Sequence, residues 1–305
     1  MNKKSLCQKD VAGLFPPLPD EINKGGMGRV LVVCGSYDPS GLSMSGAAYF
    51  AAKAAYRCGA GIVEIFTPRE NYAVLAALVP EAVFSLYGYD ESCDAVASRL
   101  KNSIAKSDSV VLGCGLGKSE LSKALLRTAL ESIFCPLVLD ADGLNILSEN
   151  EELWDCLSEE RGARTVITPH PGEMARLCGL NISEIIADSV NVACEYAKSR
   201  GVVCLLKGHN TVITDGESSY INESGNPGMA TAGMGDVLAG IIGALLARCE
   251  SASDNSQKGI LLRAAAGAFL HGHTGDLAAE KIGHYSLNSS DLLAEIPAAI
   301  RSFFG

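Results

Sequence analysis

From residue 29 onward the chain repeats one pattern: a short unbroken apolar run, a turn of glycine, proline and polar residues, then a longer stretch of small and aliphatic residues. The apolar runs are "RVLVVCG" (29–35), "GIVEIFTP" (61–68), "DSVVLGCG" (108–115), "CPLVLDADG" (135–143), "ARTVITPHPG" (163–172) and "GVVCLLKGHN" (201–210). Runs without alternation belong to strands covered on both faces, so they predict a largely parallel sheet sandwiched by helices. Helical patterns fall at 41–59, 119–131, 142–149, 172–179 and 184–200, then at 234–248, 257–280 and about 289–303. "TVITDG" (211–216) and "SSYINESG" (218–225) read as an antiparallel pair at one edge. The fold class is therefore α/β. No linker, repeat or low-complexity tract interrupts the pattern, which predicts one domain over 29–305. Residues 1–28, with "FPPLPDEINKGG", read as a leader that packs on the surface or on a neighbouring subunit.

Composition narrows the classes. A chain of 305 residues that is 48% hydrophobic has ample material for a core. Its net charge of −10 carries no electrostatic footprint for nucleic acid or an anionic membrane surface, so neither is expected as a partner. The 11 cysteines stand singly with no Cys-x-x-Cys pair, as expected of buried free thiols in a reducing compartment. No export signal is seen at the start and no apolar run is long enough to span a bilayer, which predicts a cytoplasmic protein. We expect identical copies to assemble.

In a parallel α/β sheet, ligands bind beyond the carboxyl ends of the strands, so the polar turns that end the runs hold the candidate chemistry. "ATAGMGD" (230–236) opens a long apolar helix. Gly233, Met234 and Gly235 offer loop amides to an anion, and Asp236 is placed either to accept a proton from an attacking hydroxyl or to cap helix 237–248. Lys207, at the end of a buried strand in "LLKGHNTVITDG", suits a phosphate or a solvated turn equally well. His170 stands between two prolines in "ITPHPGEMARL", fixed on a stiff loop, with Glu173 in the first helical turn beyond it. No second ligand at metal spacing accompanies it, which argues against zinc. Asp140 and Asp142 in "LDADGLN" suit either a Mg²⁺ that travels with nucleotide phosphates or a helix cap and a turn. "GCGLGKS" (113–119) lacks the spacing of a phosphate-binding P-loop. His271 and His273 read as core or helix-end residues.

These turns, in this order, make the chain similar to the ribokinase-like superfamily, and more narrowly to its ADP-dependent NAD(P)H-hydrate dehydratases. The resemblance rests on "VCGSYDPSGLSMSGAAYFAAKAAYRCGAGIVEIFTP", "GCGLG", "LDADGLN", "TPHPGEMARL", "LKGHNTVITDG" and "GNPGMATAGMGDVLAGIIGALLA". It implies a three-layer sandwich with a mostly parallel central sheet. It also implies a substrate, the hydrate of NADH or NADPH, contacted by Ala47, Gly115, His170 and Asp236. The adenine nucleotide would be contacted by Lys207, Gly208, His209, Asn210, Thr211 and Gly235, with ADP as the phosphoryl donor, ATP as an alternative, and Mg²⁺. Asp236 would be the catalytic base. Met234 departs from the pattern, which usually has Ser or Thr there. The short segment before residue 29 points to a dehydratase not fused behind an epimerase. A vitamin-precursor kinase of the same fold, or a non-catalytic nucleotide-binding relative, would share Asp236 and the loops. A dinucleotide oxidoreductase is disfavoured, because no G-x-G-x-x-G follows the first strand.

Overall fold

The computed structural model describes residues 2–4, 6, 8–38, 40–248 and 255–304. Cys7 and Cys249 lie outside them. The strands are β1 (Asn2–Lys4), β2 (Arg29–Val33), β3 (Ile62–Pro68), β4 (Val83–Tyr87), β5 (Ser109–Leu112), β6 (Leu137–Leu139), β7 (Thr165–Ile167), β8 (Val203–Leu206), β9 (Thr211–Thr214) and β10 (Ser218–Asn222). The helices are α1 (Gln8–Ala12), α2 (Ser45–Arg57), α3 (Tyr72–Leu78), α4 (Cys93–Ile104), α5 (Glu120–Ser132), α6 (Asp142–Glu149) and α7 (Glu159–Gly162). They continue with α8 (Pro171–Cys178), α9 (Ile182–Ala187), α10 (Ser189–Arg200), α11 (Met234–Leu246), α12 (Gln257–Ile282) and α13 (Ser289–Arg301).

One sheet runs through the molecule in the order β1-β10-β9-β8-β7-β6-β5-β2-β3-β4. Every strand pair is parallel except the two made by β9, which is antiparallel to both β8 and β10. The antiparallel pair read from the sequence is present, with β1 added outside it, parallel to β10. The stretch before residue 29 thus supplies a strand, and it places Val11 fully inside the core. Between Asn71 and Ser107 the sequence pattern showed no elements, yet β4 and two helices form there. β4 is the outermost strand and is only partly covered, so it lacks the unbroken apolar run that marked the others.

The apolar runs fill both faces, as their composition requires. Val30 and Val32 of β2 point into one core with α2, α11 and α12, while Leu31 and Val33 point into the other with α4 and α5. Nine described cysteines are free, and five of them are buried. Among the described residues, no helix is long and apolar enough to cross a membrane.

Two connections position the site. The parallel strands reverse their order between β5 and β2, and at their carboxyl ends the Gly35 amide donates to the Cys114 carbonyl at 3.0 Å. Helix α11 lies against α2 so closely that a methyl group on Gly240 would collide with the Ala51 carbonyl. This contact fixes how far α11 can advance toward the carboxyl edge of the sheet. Gly240→Ala should therefore cost about 1–3 kcal/mol through overpacking. Urea denaturation should show a lower midpoint with an unchanged slope.

Candidate functional site

Beyond the carboxyl ends of β6, β7 and β8 opens a cavity of about 890 Å³. Its wall includes Asp140 from the end of β6, His170 and Glu173 from the turn after β7, Lys207 from the end of β8, and Gly235 and Asp236 from the start of α11. Each side chain is carried to this edge by an apolar run that must be buried, so the sheet core dictates the position of the polar turns.

His170 is the N-cap of α8. Its Nδ1 accepts the amides of Gly172 and Glu173 at 3.0 and 3.3 Å, and Glu173 Oε2 accepts the His170 amide at 2.8 Å. This reciprocal box removes two orphan donors of the helix start and fixes the ring. Because Nδ1 accepts, the proton sits on Nε2, and burial and the nearby Lys207 charge lower the imidazole's pKa. His170 is thus a neutral ring whose Nε2 lies 3.3 Å from Glu173 Oε1.

The centre of the wall is a charge cluster. Lys207 Nζ donates to Asp140 Oδ1 at 2.8 Å and stands 3.9 Å from Glu173 Oε2. Burial disfavours the ammonium, but Asp140 and Glu173 outweigh it and its pKa is raised. Glu173 is pushed up by burial. Asp236 is pushed up to about 6, first by burial and then by the charge of Asp140. Its carboxylate lies within 4.8 Å of the Asp140 carboxylate and the Cys114 sulfur. The Cys114 thiol, beside Cys34 and buried, has its pKa raised and stays protonated.

The start of α11 corrects the capping alternative for Asp236. Gly233, in the left-handed region with φ of 88°, is the N-cap, and no side chain caps the helix. A glycine that can adopt this backbone starts the helix three residues earlier than an Asp cap would, so Asp236 falls in the first turn with its carboxylate free to face the cavity. Among the described residues, none accepts a hydrogen bond from the amides of residues 233–236. These orphan donors at the positive end of a 13-residue helix are suited to an anion. Met234 is 5% exposed and packs in the core, so the missing hydroxyl at that position leaves the amides in place.

The other sequence candidates fall in three places. Gly208, His209 and Thr211 line the cavity in the β8–β9 hairpin, with Asn210 exposed at its tip. Ala47 and Gly115 are not in the cavity wall. They meet at the strand switch point, where a Cβ on Gly115 would lie 3.0 Å from that of Ala47. Cys114 links the two regions, since it neighbours Gly115 and reaches toward Asp236. Asp142 is not in the cavity wall: its carboxylate accepts the Gly117 amide at 2.8 Å, tying α6 to the glycine turn after β5. Ala141 occupies the N-cap of α6 instead, with φ of 48°. Sequence reasoning missed Asp276, which accepts from Gly225 and Asn226 at 2.9 and 3.0 Å and shapes the loop over the cavity. It also set aside His271, which lines the cavity. No local pattern marks either residue.

A cavity of this size, a helix start with free amides and an adjacent carboxylate, at the carboxyl edge of a three-layer α/β sandwich, mark the ribokinase-like class of fold. Residues 30–298 match the family model described as NAD(P)H-hydrate dehydratase, and the chain belongs to that family. The ADP-dependent (S)-NAD(P)H-hydrate dehydratase of Neisseria meningitidis is 36% identical over 94% of this chain and 88% of its own length. A bifunctional NAD(P)H-hydrate repair enzyme of Coxiella burnetii is 38% identical over 93% of this chain, which spans 53% of that relative. An ADP/ATP-dependent NAD(P)H-hydrate dehydratase of Bacillus subtilis, co-crystallised with ATP and Mg²⁺, superposes with a TM-score of 0.79 at 25% identity, covering 99% of each chain.

The raised pKa of Asp236 has a kinetic signature. A carboxylate that serves as a base must be ionised, so with Asp236 in that role kcat/KM, which reports the free enzyme, should fall as pH drops through about 6. Asp140→Asn removes a neighbouring negative charge and should move this acid limb to lower pH. A pH profile of kcat/KM for both proteins measures the shift. An unmoved limb would mean that Asp140 does not act on the titrating group.

Proposed function

We propose that this chain dehydrates the (S)-hydrate of NADH or NADPH at the expense of ADP, with ATP as an alternative donor. The observation that carries the proposal is the placing of Asp236 between two regions. On one side lies the cavity with Lys207 and the free amides of α11. On the other is the strand switch point with Ala47 and Gly115, next to Cys114, whose sulfur lies within 4.8 Å of the Asp236 carboxylate. A nucleotide in the first and a hydrated dinucleotide in the second would meet at this carboxylate.

The chemistry follows from that meeting. The hydrate carries a hydroxyl beside the ring nitrogen of the reduced nicotinamide, and hydroxide is a poor leaving group. Asp236 takes the hydroxyl proton as the oxygen attacks the terminal phosphorus of the donor, breaking its bond to the bridging oxygen. The amides of residues 233–236 hold the charge that spreads over the transferring phosphoryl group. The phosphate then leaves with the ring C–O electron pair, driven by the nitrogen lone pair, and a ring proton is lost. ADP and the hydrate become AMP, phosphate and NAD(P)H. His170 contributes its Nε2 proton as a donor to the substrate, and Lys207 exchanges part of its ion pairing with Asp140 for a phosphate oxygen.

Magnesium fits the donor set. Asp140 and Asp236 give carboxylate oxygens within 4.8 Å of each other, with Lys207 as the cationic counterpart, and a hard divalent ion takes carboxylate and phosphate oxygen in preference to the protonated Cys114 beside them. Asp140 is the residue placed to hold it, and the ion would neutralise donor phosphate charge. The same reading places the enzyme in the cytoplasm as an assembly of identical copies.

Incubation with the hydrate and either ADP or ATP, following recovery of reduced-nicotinamide absorbance, tests the activity. Recovery with neither donor would refute the proposal. Asp236→Asn should lower kcat by about 10²–10⁴-fold with little change in nucleotide affinity. A variant that keeps its rate would remove Asp236 from the chemistry.

A further inference from the structure

The loop that presents the free amides is held from outside by two side chains far away in sequence. Ser289 Oγ, at the start of α13, donates to the Ala232 carbonyl at 2.7 Å. His271 Nε2, in the middle of α12, lies 3.0 Å from the Met234 carbonyl. A carbonyl only accepts, so this nitrogen carries the ring proton. Gly233 between them allows no alternative path: a Cβ there would stand 2.8 Å from both the Phe50 ring and Ser289 Oγ.

The consequence comes from peptide geometry. In a trans peptide the C=O and the following N–H point in opposite directions. Holding the Ala232 oxygen toward α13 turns the Gly233 amide away from α13. Holding the Met234 oxygen toward α12 turns the Gly235 amide away from His271. The Gly235 Cα itself faces the charge cluster, since a Cβ there would lie 3.5 Å from Lys207 Nζ and 3.4 Å from Asp140 Oδ2. Without the Ser289 bond the Ala232 carbonyl, which lies outside the helix, is free to rotate and offer its oxygen where a phosphate must sit; the Met234 carbonyl is the first of α11, and His271 adds a second bond that fixes its direction at the frayed helix start.

We propose that His271 and Ser289 are positioning residues: they fix alternate carbonyls of the loop so that its amides face the donor phosphates. The inference rests on the nucleotide reading of the cavity. Neither side chain needs to touch the reacting atoms.

The test compares the wild-type protein with His271→Phe and Ser289→Ala, both close in volume, and with Ser289→Thr, which keeps the hydroxyl. Circular dichroism establishes that each is folded. ADP binding is measured by calorimetry with Mg²⁺, without the hydrate, and the KM for ADP and for the hydrate by turnover. The Kd and KM for ADP should rise about tenfold or more in His271→Phe and Ser289→Ala, while the KM for the hydrate stays put and Ser289→Thr restores the ADP value. The double variant should lose less than the sum of the singles, because both bonds hold one loop. A merely structural role would lower the thermal midpoint and leave the ADP constants of the folded protein unchanged, and that result overturns the proposal. Either residue alone decides the outcome if the other's variant does not fold. Wild-type protein that binds ADP but does not recover the reduced dinucleotide would defeat the dehydratase reading and leave this test intact. No ADP binding by the wild type would overturn the inference together with the reading of the cavity.

Discussion

The packing of α11 against α2 governs the rest of the structure. The two helices approach until Gly240 lies on the Ala51 backbone, a distance only glycine permits. The same face of α2 is built almost entirely of alanine, with Ala48, Ala51, Ala52 and Ala55 fully buried. Small residues on both sides let α11 lie deep against the sheet, and the depth sets where its first turn emerges. Had either helix carried larger side chains, the amides and Asp236 would be displaced from the strand ends by a side-chain width. One helix thus carries both the close apolar contact, at its middle, and the free amides and Asp236, at its start.

Charge balance explains the second property of the site. Asp140, Glu173 and Asp236 surround one half-buried ammonium, and two of the three have raised pKa values. A wall this acidic repels a polyanionic donor unless cationic help arrives, and it comes from two sources. The free amides and the helix dipole supply fixed positive potential, and a divalent ion that accompanies the nucleotide supplies the remainder. The crowding also gives Asp236 a proton affinity suited to a base at neutral pH, which an exposed aspartate lacks. Burial and carboxylate neighbours therefore set the protonation of the wall as well as its charge.

Much of this was legible in the sequence because buried parallel strands leave so plain a trace. All six unbroken runs became strands, and the turns after three of them, β6, β7 and β8, became walls of the cavity. Three features were not legible. β4 is an edge strand with a half-exposed face, so its pattern resembles a loop. Asp236 was assigned a choice between cap and base because residue preferences favour Asp at a helix start; the backbone of Gly233 decided it. His271 and Ser289 act across 37 and 57 residues on the carbonyls they hold, and nothing local marks such contacts. The family resemblance supplied Ala47 and Gly115, which no spacing argument had singled out, and the structure places them together at the switch point.

The central claim is that the substrate hydroxyl attacks phosphorus before it leaves. The oxygen itself can be followed. Hydrate prepared with ¹⁸O in the ring hydroxyl is converted with ADP in ordinary water, and the inorganic phosphate is analysed by mass spectrometry or ³¹P NMR. The account predicts that the label appears in phosphate, one atom for each NAD(P)H formed. Label released into water, with unlabelled phosphate, would show direct dehydration and contradict it.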